Sequence, residues 1–201
     1  MSKQSTLEND TKFLFEMGNI RHINRMWHRF FGTNYANVAE HHFRVYWIAM
    51  VIASHEKDVD LGKIAKMVMI HDITESRTND YDMVAREYTV RKDELAIKDM
   101  LGGTVLETEF YDIWAEYEER QSIEAKIVKD ADNLDCDFEL SEQEQLGNTS
   151  KKALQSTRDY VYKNKLSTKT AKKIYKEIQA SNPHSWYLTA RNRKNSGEWS
   201  K

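Results

Sequence analysis

Four side chains combine in type and setting to make a cation site: His41, His71, Asp72 and Asp132. His41 stands four residues before Val45 and seven before Ile48, so on a helix its imidazole points with the apolar face into the protein. Taken alone, such a histidine is more often a hydrogen-bonded core residue than a ligand. His71 and Asp72 close the apolar run Val68-Met69-Ile70, where an imidazole and a carboxylate from consecutive positions offer one nitrogen and one oxygen. Burying them unpaired is costly, and a divalent cation offsets that cost by accepting both ligand types. Asp132 shares a helical face with Ala125, Val128 and Cys136, so it is the member of the run KDADNLDCD that points inward, while Asp130, Asp135 and Asp137 read as a solvated face. The set comes from three helices, separated by 30 and then 60 residues, and leaves positions open for water and substrate. One divalent ion is expected, and a His2Asp2 set admits Co, Mn, Zn, Fe or Mg. The non-enzymatic alternative is a helical binding module in which the same cluster is a buried polar network.

The elements that must position these residues are helical. Only one proline and seven glycines punctuate the 201 residues, and Glu, Lys, Ala, Leu and Met are plentiful. A first helix opens at Ser5 or Thr6 and ends near Gly18; a short helical piece with Ile20, Ile23, Trp27 and Phe30 follows, up to the Gly32-Thr33-Asn34 turn. Asn37 with Glu40 forms a capping-box pattern for a helix from Val38 to about His55. Asp60 caps the next, with Leu61, Ile64, Ala65 and Val68 at helical spacing up to His71. From Ser76 to Thr89 the pattern lapses into a polar stretch, read as a loop with at most one helical turn and placed to act as a lid. Residues 91–101 are helical up to Gly102-Gly103, Thr104 caps an acidic helix to about Arg120, and Ser122 caps the helix that carries Asp132. Helices at 151–164 and 167–180 precede Pro183 and a tail rich in aromatic and basic residues.

With 30 basic and 32 acidic residues the net charge is only -2, which supplies no chain-wide basic field for nucleic acid. Stacking of Trp186, Tyr187 and Trp199 with Arg191 and Arg193 on nucleic acid is the less expected role of the tail; packing on the core or on a partner subunit is the ordinary one. Cys136 is the one cysteine, flanked by Leu134 and Phe138, and reads as a buried hydrophobe in a reducing cytoplasm. The polar start of the chain has no signal-peptide pattern, and the longest apolar stretch, Val45 to Ala53, is about half a membrane span.

The order Val-Ala-Glu-His41, then Ile-His71-Asp72-Ile-Thr-Glu75, then Val-Lys-Asp-Ala-Asp132-Asn-Leu resembles the H…HD…D signature of the HD-domain metal-dependent phosphohydrolases. Within them it is most similar to the bacterial and archaeal 5'-deoxyribonucleotidases, from about Ile20 to Leu140. The resemblance implies an all-α fold: a single compact HD-type helical bundle over residues 1–201, with its core at about 20–140 and a helical C-terminal extension at about 150–201. It implies cleavage of the 5' phosphoester of (deoxy)ribonucleoside monophosphates, with a dNTP triphosphohydrolase as the enzymatic alternative, for which Arg77, Arg86, Arg91 and Lys92 beside the lid are the relevant cations. A homodimer is implied as well.

The stretch Ile23-Asn24-Arg25-Met26-Trp27 resembles a segment that precedes the first histidine of those enzymes. By that likeness Arg25 binds the substrate phosphate, for which a guanidinium fork is suited, and Trp27 packs against the nucleoside. Glu75 stands four residues after His71 and three after Asp72 and so shares their helical face. The resemblance makes it the general acid or base. Asp80 matches an aspartate of the nucleotide pocket, where Asn79 replaces a customary glycine and still tolerates a left-handed turn.

Overall fold

The computed structural model describes residues 6–32 and 34–191. Ser5, Thr33, Arg193 and Trp199 lie outside the described residues. Every regular element among the described residues is helical, as composition and periodicity predict. Residues that start helices do so by local chemistry. Asn37 accepts the Glu40 N–H at 3.0 Å while the Glu40 carboxylate accepts the Asn37 N–H at 3.0 Å, and this reciprocal cap opens α3 (Val38–His55). Asp60 opens α4 (Leu61–Ile70) by accepting the Lys63 N–H, and Ser122 opens α9 (Ile123–Gln145) by accepting that of Ala125.

The long helix α9 is the axis of the molecule. It packs against α3, α4, α8 (Glu107–Glu119), α10 (Ser150–Asn164) and α11 (Lys169–Ala180), so it has neighbours on most of its circumference. Val45, Ala49 and Ile52 of α3, Ile64 and Val68 of α4, and Ile127, Ala131 and Leu134 of α9 are buried together in the core. That enclosure overturns one expectation: Asp130, Asp135 and Asp137 are buried, each with 2% exposure or less, because neighbouring segments cover the faces of α9 on which they stand. Asp130 accepts the N–H groups of Ser167 and Thr168, both at 2.7 Å, at the start of α11, and Asp137 holds Arg158 of α10 through contacts of 2.9 and 2.6 Å.

The entry to the bundle is α1 (Thr6–Asn19), a 3-10 turn at Ile20–His22, and α2 (His28–Phe31). Between these two, Asn24 forms an isolated antiparallel bridge with Asn37, and the Val38 N–H donates to the Ile23 carbonyl at 2.9 Å. The segment bearing Arg25 is thereby pinned to the first turn of α3.

The stretch expected as a loop at 76–89 holds two short helices, α5 (Glu75–Thr78) and α6 (Met83–Tyr88). Polarity hid them, yet Asp82 caps the second by accepting the N–H groups of Val84 and Ala85, and Asn79 supplies the break between them with φ +61°. Thr104 is also not the cap of α8: its hydroxyl donates to the Leu101 carbonyl at 2.6 Å, closing α7 (Asp93–Leu101), and the next helix starts only at Glu107. The helix expected from Ser167 starts at Lys169, with Thr168 as its cap. After Pro183, a last turn, α12 (Ser185–Leu188), leaves Trp186 and Tyr187 exposed rather than packed on this chain. No helix among the described residues is long and apolar enough to cross a membrane.

Candidate metal centre and substrate cavity

His41 lies on the first turn of α3, His71 caps the C-terminus of α4, Asp72 follows it, and Asp132 projects from the middle of α9. Packing of these three helices brings one potential ligand atom from each of the four residues to within 4.8 Å of every other. The His41 Nε2 is 3.4 Å from the His71 Nε2, 3.3 Å from Asp132 Oδ1 and 3.6 Å from Asp72 Oδ2, while the His71 Nε2 is 3.3 Å from the same Asp72 oxygen. Both rings are oriented from behind. The His71 Nδ1 hydrogen donates to the Val68 carbonyl at 2.7 Å, and the His41 Nδ1 hydrogen to Asp135 at 2.6 Å. With those tautomers assigned by the partners, both Nε2 atoms present lone pairs to a space already bordered by two carboxylates. In those neutral tautomers four acceptors face one point, an arrangement a divalent cation satisfies in place of the proton that His41 Nε2 otherwise shares with Asp132, and separations of 3.3–3.6 Å suit bonds of about 2.1 Å to a common ion. The residues therefore fit a metal ion.

Electrostatics agrees. Burial and the Arg25 charge press the His41 pKa down, but hydrogen bonds to Asp132, Asp135 and Asp72 outweigh them, and without a cation it rises to about 10. Burial and the neighbouring His71 hold buried His42 neutral. Cys136 is buried as expected, and burial pushes its thiol up to about 12, so it is unreactive at neutral pH.

Beside the cluster opens a cavity of about 880 Å³ lined by Arg25, Trp27, His71, Asp72, Glu75, Asp80 and Asp132. Arg25 is 8% exposed, with Nη1 3.8 Å from Asp72 and Nε 3.6 Å from Asp80; the Nε atom has no hydrogen-bond partner. Asp80 accepts the Met26 N–H at 3.0 Å, so it braces the segment that presents Arg25. Glu75 is buried; Arg91 approaches its Oε1 at 3.4 Å, and its Oε2 has no partner. Burial, Asp72 and Asp80 raise the Glu75 pKa well above the ordinary carboxylate value, against Arg25 and Arg91. Trp27 packs with Cys136 and Leu154 and forms an apolar part of the wall.

All eight residues singled out from sequence thus border one cluster and cavity. Sequence reasoning missed Asp135, which orients His41 and is itself paired with Arg44 Nε at 2.9 Å. Its signal was present, since Asp135 follows Asp132 by three residues and so shares its helical face. Of the four cations beside the lid, Arg86 and Arg91 line the cavity, whereas Arg77 is bound to Glu16 at 2.7 and 2.8 Å and Lys92 is not part of the wall.

Residues 17–179 match the family described as HD domain. The chain belongs to the HD-domain family. Among curated proteins it is 31% identical over 117 residues to 5'-deoxynucleotidase HDDC2 of Bos taurus, the match covering 56% of each chain, so it spans little more than half the length of that relative. Among solved structures, a conserved hypothetical protein from Pyrococcus furiosus superposes with a TM-score of 0.73 at 26% identity, covering 85% of this chain and 99% of the other. The HD phosphohydrolase of cyanophage S-2L, bound to dA and one catalytic Zn2+ ion, gives a TM-score of 0.54 at 17% identity over 83% of this chain and 96% of its own; that likeness is one of fold. The HD-domain match runs through α10 and α11, beyond the stretch of about 20–140 in which the resemblance is legible by eye.

Proposed function

We propose that the protein is a metal-dependent phosphohydrolase that cleaves the 5' phosphoester of (deoxy)ribonucleoside monophosphates, with His41, His71, Asp72 and Asp132 as the ligands of one divalent ion. The observation that carries this reading is the convergence of four ligand atoms, from two buried histidines and two partly buried aspartates, at the edge of a cavity that also holds a buried, incompletely paired arginine and a buried, incompletely paired glutamate. The 5'-deoxynucleotidase relatives support the choice of substrate. When bound, the ion supplies Lewis-acid activation of water and neutralises phosphate charge.

The chain's own residues do the rest. Arg25 stays charged, and its unpartnered Nε is available to a phosphate oxygen. Trp27 gives the nucleoside a flat apolar surface, and Asp80 holds Arg25 in place through the Met26 backbone. In the reaction a water oxygen bonds to phosphorus, the P–O5' bond breaks with its electron pair on O5', and a proton must reach O5' while one leaves the water. Glu75 Oε2 is the free carboxyl atom placed to exchange that proton, and the raised pKa keeps it protonated until the leaving oxygen needs it. The same reading places the protein in the cytoplasm as a homodimer, supported by the family resemblance and the single buried thiol.

The test is a phosphate-release screen of nucleoside mono- and triphosphates with Mn, Co, Zn and Mg, run beside Glu75→Gln. Release from monophosphates, a 10²–10⁴-fold slower Glu75→Gln variant and unchanged metal content are expected. Full activity of the variant, or no release from any nucleotide, would refute it.

A further inference from the structure

Arg25, Trp27 and the cation cluster use only part of the cavity. Another wall, at the corner where α8 turns into α9, carries Arg120, Lys126 and Lys129. Arg120 ends α8 with φ +57°, a left-handed conformation unfavourable for any residue but glycine, asparagine or aspartate. From there its guanidinium lies 3.3 Å from the centre of the Tyr117 ring, and that ring stands edge-on to His71 with centroids 5.6 Å apart. Its Nη1 is buried without a partner, and its Nη2 has a single long contact, 3.4 Å to Glu118. Lys129, 2.6 Å from Asp132, ties this wall to the cluster, and Lys126 stands one turn away on the same face of α9 with no ion pair among the described residues.

Cations left unpaired in a cavity concentrate anions, and an arginine fork with a free nitrogen matches phosphate oxygens. The reading above seats one phosphate at Arg25 and the cluster. Lys129, Lys126 and Arg120 lead away from that point, and a cavity of about 880 Å³ lies near the upper end for small-molecule sites. We propose that this wall is a second anion subsite that takes the outer phosphates of a phosphoanhydride chain. Nucleoside di- and triphosphates then occupy the same cavity as the monophosphate and are held more tightly. The location of the first phosphate rests on the proposed function; the subsite itself is read from Arg120 and Lys126.

The test is equilibrium binding of deoxyadenosine mono-, di- and triphosphate to the metal-loaded full chain at a fixed free-cation concentration, in the Glu75→Gln background so that bound nucleotide is not consumed. Arg120→Gly removes the charge and suits the left-handed backbone, so the helix end is relieved rather than broken. Combined with Lys126→Ala, it is expected to weaken the triphosphate at least tenfold and leave the monophosphate within twofold; Arg120→Lys retains most of the preference. Inorganic tripolyphosphate is the second arm: equal sensitivity to the double variant supports a subsite for the chain alone, and weaker binding supports one that needs the nucleoside. Equal weakening of mono- and triphosphate, or no change in either, overturns the proposal. If no nucleotide is hydrolysed, the proposed function fails while the binding comparison still reads the subsite.

Discussion

Asp135 is the sharpest test of how the cluster is built, because it touches no atom of the cavity and acts only through His41. Its carboxylate takes the His41 Nδ1 hydrogen at 2.6 Å, is 1% exposed, and is balanced by Arg44 at 2.9 Å. Asp135→Asn keeps the shape and one acceptor but removes the charge that makes Nε2 a stronger donor to a cation. Losing such a partner weakens metal binding by about 10–100-fold, or about 1.4–2.7 kcal/mol. Since the ion binds only the folded chain, the loss carries into holo stability, and at about 2–4 °C per kcal/mol for a chain of this size the metal-induced rise in Tm shrinks by about 3–11 °C. The assay is the difference in Tm with and without metal, joined to a competitive chelator titration. Using the difference cancels whatever the substitution does to the metal-free fold through Arg44. An unchanged metal-induced shift would refute the idea that Asp135 governs the cluster through His41.

Two further outcomes follow from the same structure. Without a cation His41 holds its proton up to a pKa of about 10, so metal uptake displaces that proton; affinity should rise about tenfold per pH unit below that value and fall as pH drops, read by calorimetry in buffers of different ionisation enthalpy, where absence of proton release counts against it. Arg158→Met leaves the Asp137 carboxylate buried without its two-pronged partner, and should cost the metal-free protein about 3–5 kcal/mol in urea unfolding; a loss under about 1 kcal/mol would mean that the pair is dispensable.

The bundle class, the caps at Asn37, Asp60 and Ser122, and the ligand types were legible because each depends on residues within a turn or two of each other. Helical periodicity likewise placed His41 and Asp132 on inward faces before any partner was known. The short helices α5 and α6 were not legible, since four to six residues carry too little periodicity and are held by a single cap or by tertiary packing.

The fate of the acidic run at 129–137 marks the boundary most clearly. The sequence by itself determined that one aspartate would face inward with the apolar stripe. That Asp130 and Asp137 are buried too, one tying down α11 and one binding Arg158, and that Asp135 meets His41 rather than another partner, was decided only by the enclosure of α9 among five other helices. Periodicity describes one helix and its preferred face, whereas burial of the other faces depends on which distant segments arrive to cover them. For the same reason the arginine at the end of α8 and the lysines of α9 acquire a meaning only in the cavity they share.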